Sequence, residues 1–274
     1  MTSGRVAGMP PHDTYTHGHP EVVVRSHAAR TAESSCGYLL DHLAPGTSLL
    51  DVGCGPGSIT VDLAARVAPG RVRGVELVPE PLEQARAAAA ERGVTVEFAV
   101  DDAYALSEPD DSWDVVHAHQ VLQHVSDPVA VLREMRRVAR PGGLVAVRDA
   151  DYAGFHWWPA DPLLDRWLEL YRAVARGNDA EPDAGRRLLG WAHAAGFTEV
   201  VPSAAVWCYA TADERAAWGG MWADRIHTGV GRMALDRGLA EPAELAAISD
   251  AWRAWSAHPD GWFVVPHGEL LCRA

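Results

Sequence analysis

The stretch Leu-Leu-Asp-Val-Gly-Cys-Gly-Pro-Gly, residues 49–57, restricts the fold of this chain more than any other segment. A short apolar run meets an acid, and glycines then alternate with other residues. Glycines between a buried strand and a helix let the backbone approach a ligand closely, and their amides face it. The spacing GxGxG differs from the GxGxxG pattern of pyrophosphate binding. Asp51, just before Gly53, favours a cationic ligand group over a diphosphate.

Strand and helix patterns alternate from residue 47 to residue 151. Short apolar runs separated by amphipathic helices are typical of βα units. They predict an α/β fold with a doubly wound parallel sheet and right-handed crossovers. The predicted strands are 47–53, 71–77, 94–103, 112–120 and 144–151, and the predicted helices are 58–69, 79–93 and 127–143.

The flanking segments differ in character from this core. We expect a disordered tail over 1–12, a helical cover over 13–44 that starts its helix at Glu21, a ligand-binding core over 45–151, and further helices with two more strands over 152–274. Ten of the eleven tryptophans lie between Trp157 and Trp262. Such residues fit a lid over an organic substrate, but they fit a hydrophobic core or a homodimer interface equally well.

Composition excludes several classes of function. The formal net charge of −13 disfavours binding to nucleic acid and to anionic membranes. Lysine is absent, which removes Schiff-base mechanisms. The four cysteines form no CxxC pair, so neither a zinc site nor a disulfide framework is expected. No secretory signal and no apolar run of about 18 residues is recognisable, so a cytoplasmic location is expected.

Acids follow two further strands at the same sheet edge as the glycine loop. Glu76 ends the second strand, where a carboxylate can accept both hydroxyls of a ribose. Asp102 follows the third strand, placed to accept from an adenine amino group, with Ala103 beside it. Each acid alone could be a solvated carboxylate, but together with the loop they predict an adenosine-containing ligand.

Three histidines accompany the fourth strand. His119 ends it at the carboxyl edge and is the candidate to line the acceptor site and to act in catalysis; a purely structural or cofactor-contacting position is the alternative. His117 lies deeper and is interpreted as core, and His124 as structural. The His17-Gly18-His19 run with His27 lacks neighbouring ligands at metal spacing, so no metal is expected.

The successive segments "LLDVGCGPGSIT", "GVELVPEPLEQAR", "VDDAYAL", "WDVVHAHQVLQHVSDP" and "VARPGGLVAVRD" resemble the motif series of class I S-adenosylmethionine-dependent methyltransferases, in particular the ubiquinone/menaquinone-biosynthesis type. The resemblance covers about residues 45–151. It implies a seven-stranded sheet of order 3-2-1-4-5-7-6 with strand seven antiparallel. It also implies S-adenosylmethionine as the cofactor, held by Asp51, Gly53, Cys54, Gly55, Gly57, Glu76, Asp102, Ala103 and His119.

The opening "YTHGHPEVVVRSHAARTA" is similar to a leader of fungal gliotoxin bis-thiomethyltransferase and of bacterial dithiolopyrrolone thiol methyltransferases. This similarity implies that Tyr15, His17, Arg30 and Thr31 fold over the cofactor, with Arg30 near its carboxylate. His17 is then also a candidate for contact with the acceptor.

Further candidates for acceptor binding come from two tryptophan-containing segments. "FHWWP" follows the fifth strand and should face the acceptor, and "MWADRIHTG" belongs to a later helix. The candidate residues are Phe155, Trp157, Trp158, Trp222, Arg225 and His227.

The sequence thus predicts a methyltransferase of a small-molecule natural product, with direct in-line transfer to a thiol or dithiol favoured over C- or O-methylation of a quinol or phenol. A thiol with a pKa near ~8.5 needs little help to ionise, whereas a phenol near ~10 needs a base. An NAD-dependent oxidoreductase is the alternative of another class; the loop spacing and Asp51 count against it. Nucleic-acid methylation is disfavoured by charge and by "HAHQ" standing where an NPPY-like segment would follow the fourth strand.

Overall fold

The computed structural model describes residues 30–274, which fold into one mixed sheet flanked by helices. The strands are β1 (Leu49–Val52), β2 (Val72–Glu76), β3 (Glu97–Val100), β4 (Trp113–His119), β5 (Ala139–Ala150), β6 (His156–Trp158), β7 (Val200–Tyr209) and β8 (Trp262–Arg273). The helices are α1 (Ala32–Leu40), α2 (Ser58–Val67), α3 (Glu80–Arg92), α4 (Pro128–Val138), α5 (Pro162–Arg176), α6 (Leu188–Ala194), α7 (Ala212–Arg225), α8 (Gly229–Asp236) and α9 (Pro242–Ala257). Short 3-10 turns lie at Leu122–His124, Tyr152–Gly154 and Gly185–Arg187.

The sheet has the predicted order. β3, β2, β1, β4 and β5 are parallel, and β8 pairs antiparallel with β5 and with β7. β8 and β7 therefore take the places of the expected strands seven and six. β6 is an addition that the sequence did not suggest: His156–Trp158 pairs with Trp262–Val264, beyond the part of β8 that pairs with β5.

Both faces of the sheet are covered, as a doubly wound fold requires. On one face, α1 and α2 pack on inward side chains such as Leu49, Val115 and Ala146. On the other face, α4 and α6 pack on the strand residues that follow these in sequence, such as Leu50 and Val116. The strand residues therefore alternate between two apolar layers.

Two helices differ from the sequence prediction. Thr31 adopts extended backbone angles and caps α1, accepting a hydrogen bond from the backbone N–H of Ser34 at 3.1 Å, so the helix begins at Ala32 and does not run unbroken from Glu21. The later helix to which "MWADRIHTG" was assigned is two helices, α7 and α8. It breaks because Thr228 leaves the helical region and its hydroxyl donates to the carbonyl of Arg225 at 2.9 Å.

The lid, defined as α5, α7, α8 and α9, has an aromatic core of its own. Trp167, Trp222 and Trp252 are buried there together with Phe263 of β8. Trp167 meets Trp222 and Trp252 edge to face, with ring centroids 4.5 and 4.8 Å apart. Such pairs add to the stabilisation that burial already supplies. These tryptophans therefore hold the lid together.

Candidate active site

The glycine loop follows β1 at the carboxyl edge of the sheet. Gly53, Gly55 and Gly57 have φ of 69°, 52° and 78°, a left-handed region that only glycine occupies without strain. A Cβ on Gly57 would lie 2.7 Å from Cβ of Ala85, so the loop passes close to α3. The backbone is thus held open beside β1, where a ligand can approach it closely.

Asp51, the acid before the loop, lies in a buried hydrogen-bonded chain. Its Oδ2 accepts from the hydroxyl of Thr60 at 2.5 Å, and its Oδ1 lies 2.7 Å from Nδ1 of His117. The other ring nitrogen of His117 lies 3.2 Å from Sγ of Cys36 on α1. Both carboxylate oxygens therefore already have partners inside the protein.

His117 carries the positive charge of this hydrogen-bonded chain from Thr60 to Cys36. Burial opposes its protonation, but Cys36 and Asp51, through their charges and hydrogen bonds, raise the pKa of His117 to about 10. At neutral pH His117 and Asp51 therefore form a buried ion pair. The interpretation of His117 as a core residue is correct in position, but it overlooked this pairing.

Glu76 stands at the end of β2, next to the loop. Its Oε2 accepts from the backbone N–H of Gly55 at 3.1 Å, and its Oε1 accepts from that of Leu77 at 2.8 Å. Asp102 stands after β3, and its Oδ1 accepts from the N–H of Tyr104 at 2.9 Å. The loop and the two acids lie at one edge because β1, β2 and β3 are parallel neighbours. This edge thus brings together the loop and the acids from which the sequence predicted a site for a ribose and a base.

His119 ends β4 and is only 7 % exposed. Neither ring nitrogen has a hydrogen-bond partner among residues 30–274. Its ring lies 5.8 Å from that of Trp207 and 6.3 Å from that of His267. Burial lowers the pKa of His119 well below its usual value, and the positive charges of Arg30 and Arg148 lower it further. At neutral pH His119 is therefore uncharged and has an acceptor nitrogen to offer.

Arg148 is the neighbour of His119 across the β4–β5 register. Its Nε donates to Glu269 at 3.1 Å, and its guanidinium lies 4.7 Å from the ring centre of Trp207. Its two terminal nitrogens are buried without a partner in the described part of the chain. Sequence reasoning missed Arg148 and Glu269. The available signal was a charged residue inside each of two otherwise apolar strands.

Comparison with known proteins decides which ligand this edge takes. Residues 50–147 match the family described as "Methyltransferase domain". The chain is 33% identical over 267 residues to an uncharacterized methyltransferase of Schizosaccharomyces pombe, covering 94% of this chain and 95% of the relative. This chain belongs to the class I S-adenosylmethionine-dependent methyltransferases.

Two further comparisons agree with this membership. The methyltransferase is 35% identical over 176 residues to 2-methyl-6-phytyl-1,4-hydroquinone methyltransferase of Synechocystis, covering 61% of this chain and 54% of that protein. The crystal structure of the YcgJ protein from Bacillus subtilis has the same fold, with a TM-score of 0.57 and 20% identity over 86% of this chain and 97% of the other. The cofactor is S-adenosylmethionine, and the oxidoreductase alternative is set aside.

The candidates for acceptor binding do not lie together: some are buried in the lid and others are exposed. Phe155 and Trp222 lie inside the aromatic core of the lid. Trp157 is half-buried on β6 and stacks on Phe263. Trp158, 59 % exposed, and His227 face outward. A role for any of them in acceptor binding stays a prediction.

The residues proposed to cover the cofactor are only partly described. Tyr15 and His17 lie outside the described residues. The guanidinium of Arg30 lies 5.3 Å from the ring centre of Trp207. The guanidinium of Arg148 contacts the same ring. Thr31 is exposed and caps α1.

Metal ligands, disulfides and membrane-spanning helices were also sought within residues 30–274. No group of three or more histidine, cysteine or acidic side chains there could hold a metal ion. The cysteines at 36, 54, 208 and 272 are all free thiols. In the same part of the chain, no helix combines the length and apolar character needed to cross a membrane.

Asp149, beside Arg148 on β5, provides a test of stability against pH. Burial raises the pKa of Asp149 to about 8, although backbone N–H groups of Leu122 and Gln123 oppose the rise. The folded protein thus keeps a proton that the unfolded chain loses near pH ~4, and folding stability falls as pH rises between these values. Over about three pH units from about pH 5 this effect amounts to at most ~4 kcal/mol.

We expect Asp149→Asn to remove that loss. The free energy of unfolding of the variant should therefore rise relative to that of the wild type as pH is raised from about 5 to about 8. Asparagine keeps the oxygen that accepts from Gln123 at 3.0 Å. Urea unfolding at a series of pH values measures the difference. Asp114→Asn is the matched control, since hydrogen bonds from Ser48 and Arg140, against the opposing effect of partial burial, lower the pKa of Asp114. A parallel pH dependence in wild type and Asp149→Asn would contradict the assignment.

Proposed function

We propose that this methyltransferase methylates the sulfur of a small thiol or dithiol metabolite by direct in-line transfer. Membership of the family supports a small-molecule methyltransferase. The preference for sulfur rests on one observation: His119, beside the guanidinium of Arg148, is uncharged and has no hydrogen-bond partner in the described part of the chain. The sequence feature that first suggested it, the leader over 15–31, lies mostly outside the described residues.

We propose that the loop edge holds the cofactor. When bound, S-adenosylmethionine supplies a methyl group already activated on its sulfonium sulfur. The Glu76 carboxylate is suited to the ribose hydroxyls, and Asp102 with Ala103 to the adenine. The positive φ values from Gly53 to Gly57 let the backbone, with Cys54 between, lie close to the methionyl part. Asp51 holds the end of β1, just before this loop, through its hydrogen bonds to Thr60 and His117.

The acceptor end favours a nucleophile that ionises readily. A strongly lowered pKa makes His119 a weak base, poorly matched to a phenol with a pKa near ~10. A thiol near ~8.5 loses its proton more easily, and the positive charges of Arg148 and Arg30 favour the thiolate. Orientation of the thiolate in line with the transferred methyl, with water excluded, can then supply roughly 7–11 kcal/mol of the barrier.

O- or C-methylation of a quinol or phenol is the second candidate. The similarity to a hydroquinone methyltransferase favours it. In that reaction His119 would have to accept the phenolic proton, so the same residue would act as a general base.

The deciding experiment is mass spectrometry of acceptors incubated with S-adenosylmethionine, using dithiothreitol, thiophenol, phenol and hydroquinone. We expect one or two added methyl groups on dithiothreitol and one on thiophenol, with the thiophenol rate at least about tenfold above that of phenol at neutral pH because more of the thiol is ionised. His119→Gln should slow phenol methylation more than thiol methylation. Faster methylation of phenol or hydroquinone would exclude the thiol proposal and establish the second candidate.

A further inference from the structure

Arg225, the last residue of α7, is a buried cation without a counter-ion among residues 30–274. It is only 6 % exposed. Its Nη2 has no hydrogen-bond partner among residues 30–274, and its Nη1 contacts only Sδ of Met221, at 3.6 Å. The guanidinium lies 4.6 Å from the ring centre of Trp222. A thioether and an aromatic face neutralise no charge.

Two other arginines are buried, Arg148 and Arg215. Arg148 has the carboxylate of Glu269 at 3.1 Å, and Arg215 donates to the backbone carbonyl of Ala210. No carboxylate of the described chain forms an ion pair with Arg225. Removing a charge from water without a partner costs several kcal/mol, which ligand binding can offset. The fork of a guanidinium matches the two oxygens of a carboxylate.

The groups electrostatically coupled to Arg225 are uncharged. Burial lowers the pKa of His124 to about 3, and Arg225 and Arg30 lower it further. Burial raises the pKa of Tyr152, with Arg225 acting against this rise. Of the two acids just before Tyr152, Asp149 is kept protonated at neutral pH, and Asp151 is already paired with Arg186 at 2.9 Å. Nothing among these groups supplies the negative charge.

Arg225 also belongs to the acceptor end of the site. Ring contacts connect it to His119. Trp222, against which the guanidinium of Arg225 lies, is 6.0 Å from Trp218, and Trp218 stacks on Tyr209 of β7 at 4.2 Å. Trp207, two residues earlier on β7, lies 5.8 Å from the ring of His119. Arg225 therefore belongs to the lid helix whose aromatic contacts lead through β7 to His119.

We propose that Arg225 binds a carboxylate of the acceptor, so that the substrate of this enzyme is a carboxylate-bearing small molecule with its nucleophile at His119. This inference rests on the proposed acceptor site but not on which atom is methylated. It assigns to the lid a recognition residue whose charge is satisfied only in the complex.

Calorimetry with paired probes tests the proposal. The protein, with S-adenosylhomocysteine bound, is titrated with 2-mercaptobenzoate and with 2-mercaptobenzamide, and then with 4-hydroxybenzoate and 4-hydroxybenzamide. We expect each carboxylate to bind at least about tenfold more tightly than its amide, because the amide offers the guanidinium a neutral oxygen in place of an anionic partner with two oxygens. Arg225→Gln should abolish this preference, and Arg225→Lys should restore part of it.

Arg253→Gln is the matched control, since Arg253 on α9 forms an exposed ion pair with Asp224, the neighbour of Arg225. It should keep the full preference. Unchanged affinity of Arg225→Gln for S-adenosylhomocysteine shows that the variant is folded. Equal binding of acid and amide by the wild type, or a preference that survives Arg225→Gln, would overturn the proposal. A carboxylate preference together with methylation at oxygen would refute the thiol proposal alone.

Discussion

Asp51→Ala should lower the free energy of unfolding by about 3–5 kcal/mol, the usual effect of removing one partner of a buried ion pair. The substitution leaves His117 buried without its carboxylate and Thr60 without its acceptor at 2.5 Å. His117 must then stay charged with only the thiol of Cys36 beside it, or give up its proton. Urea denaturation at neutral pH measures the loss, provided that the unfolding slopes agree.

The pH dependence of this loss identifies its cause. The folded pKa of His117, about 10, lies above the ordinary value of an imidazole. Its stabilising contribution is therefore complete below about pH 6.5 and is lost as pH rises toward about 10. The difference between wild type and Asp51→Ala should narrow over that range. A constant difference would mean that lost packing, and not the ion pair, is responsible.

Asp110→Ala is the control for Asp51→Ala. Asp110 pairs with Arg137 at 2.5 Å, but its side chain is 73 % exposed. Exposed pairs of this kind contribute about 0–1 kcal/mol. A loss for Asp51→Ala as small as that of Asp110→Ala would contradict the buried-pair interpretation.

Glu76→Ala should weaken S-adenosylmethionine binding by about tenfold to a hundredfold. Hydrogen bonds from ribose hydroxyls to a carboxylate are charge-assisted, and losing them costs about 1.5–3 kcal/mol. The variant also loses the bond from Glu76 to the backbone N–H of Gly55, so the glycine loop is less well held. Calorimetric titration with S-adenosylmethionine and with S-adenosylhomocysteine measures the change.

Two variants separate the possible causes of weaker binding. Glu83→Ala removes an exposed acid on α3 and should leave affinity unchanged. Glu76→Gln keeps one oxygen for the N–H of Gly55 but loses the charge, so it should bind with intermediate affinity. Unchanged affinity in Glu76→Ala would exclude the ribose assignment.

The sequence predicted the cofactor half of the site because its signals are local. A βα unit places whatever follows its strand at the carboxyl edge, so Gly53, Glu76 and Asp102 could be assigned to one edge from their positions alone. The strand order followed from the resemblance of the motif series. The class of enzyme followed from the same segments.

The acceptor half could not be predicted in this way, because its contacts join distant parts of the chain. Arg148 meets Glu269 across 121 residues, and His119 contacts the rings of Trp207 and His267. The tryptophans of the lid had two interpretations, and packing against Phe263 places most of them in a core. Short β6 and the break between α7 and α8 depend on pairing with β8 and on the hydroxyl of Thr228.

The sequence by itself determined the fold class, the cofactor and the sheet edge at which the glycine loop, Glu76 and Asp102 meet. Only the tertiary structure decided which buried charges have partners. A charged residue in an apolar segment looks the same in sequence whether or not a counter-ion faces it. Within residues 30–274 folding brings a carboxylate to Arg148 and none to Arg225, and that is a property of the register and packing of elements far apart in the chain.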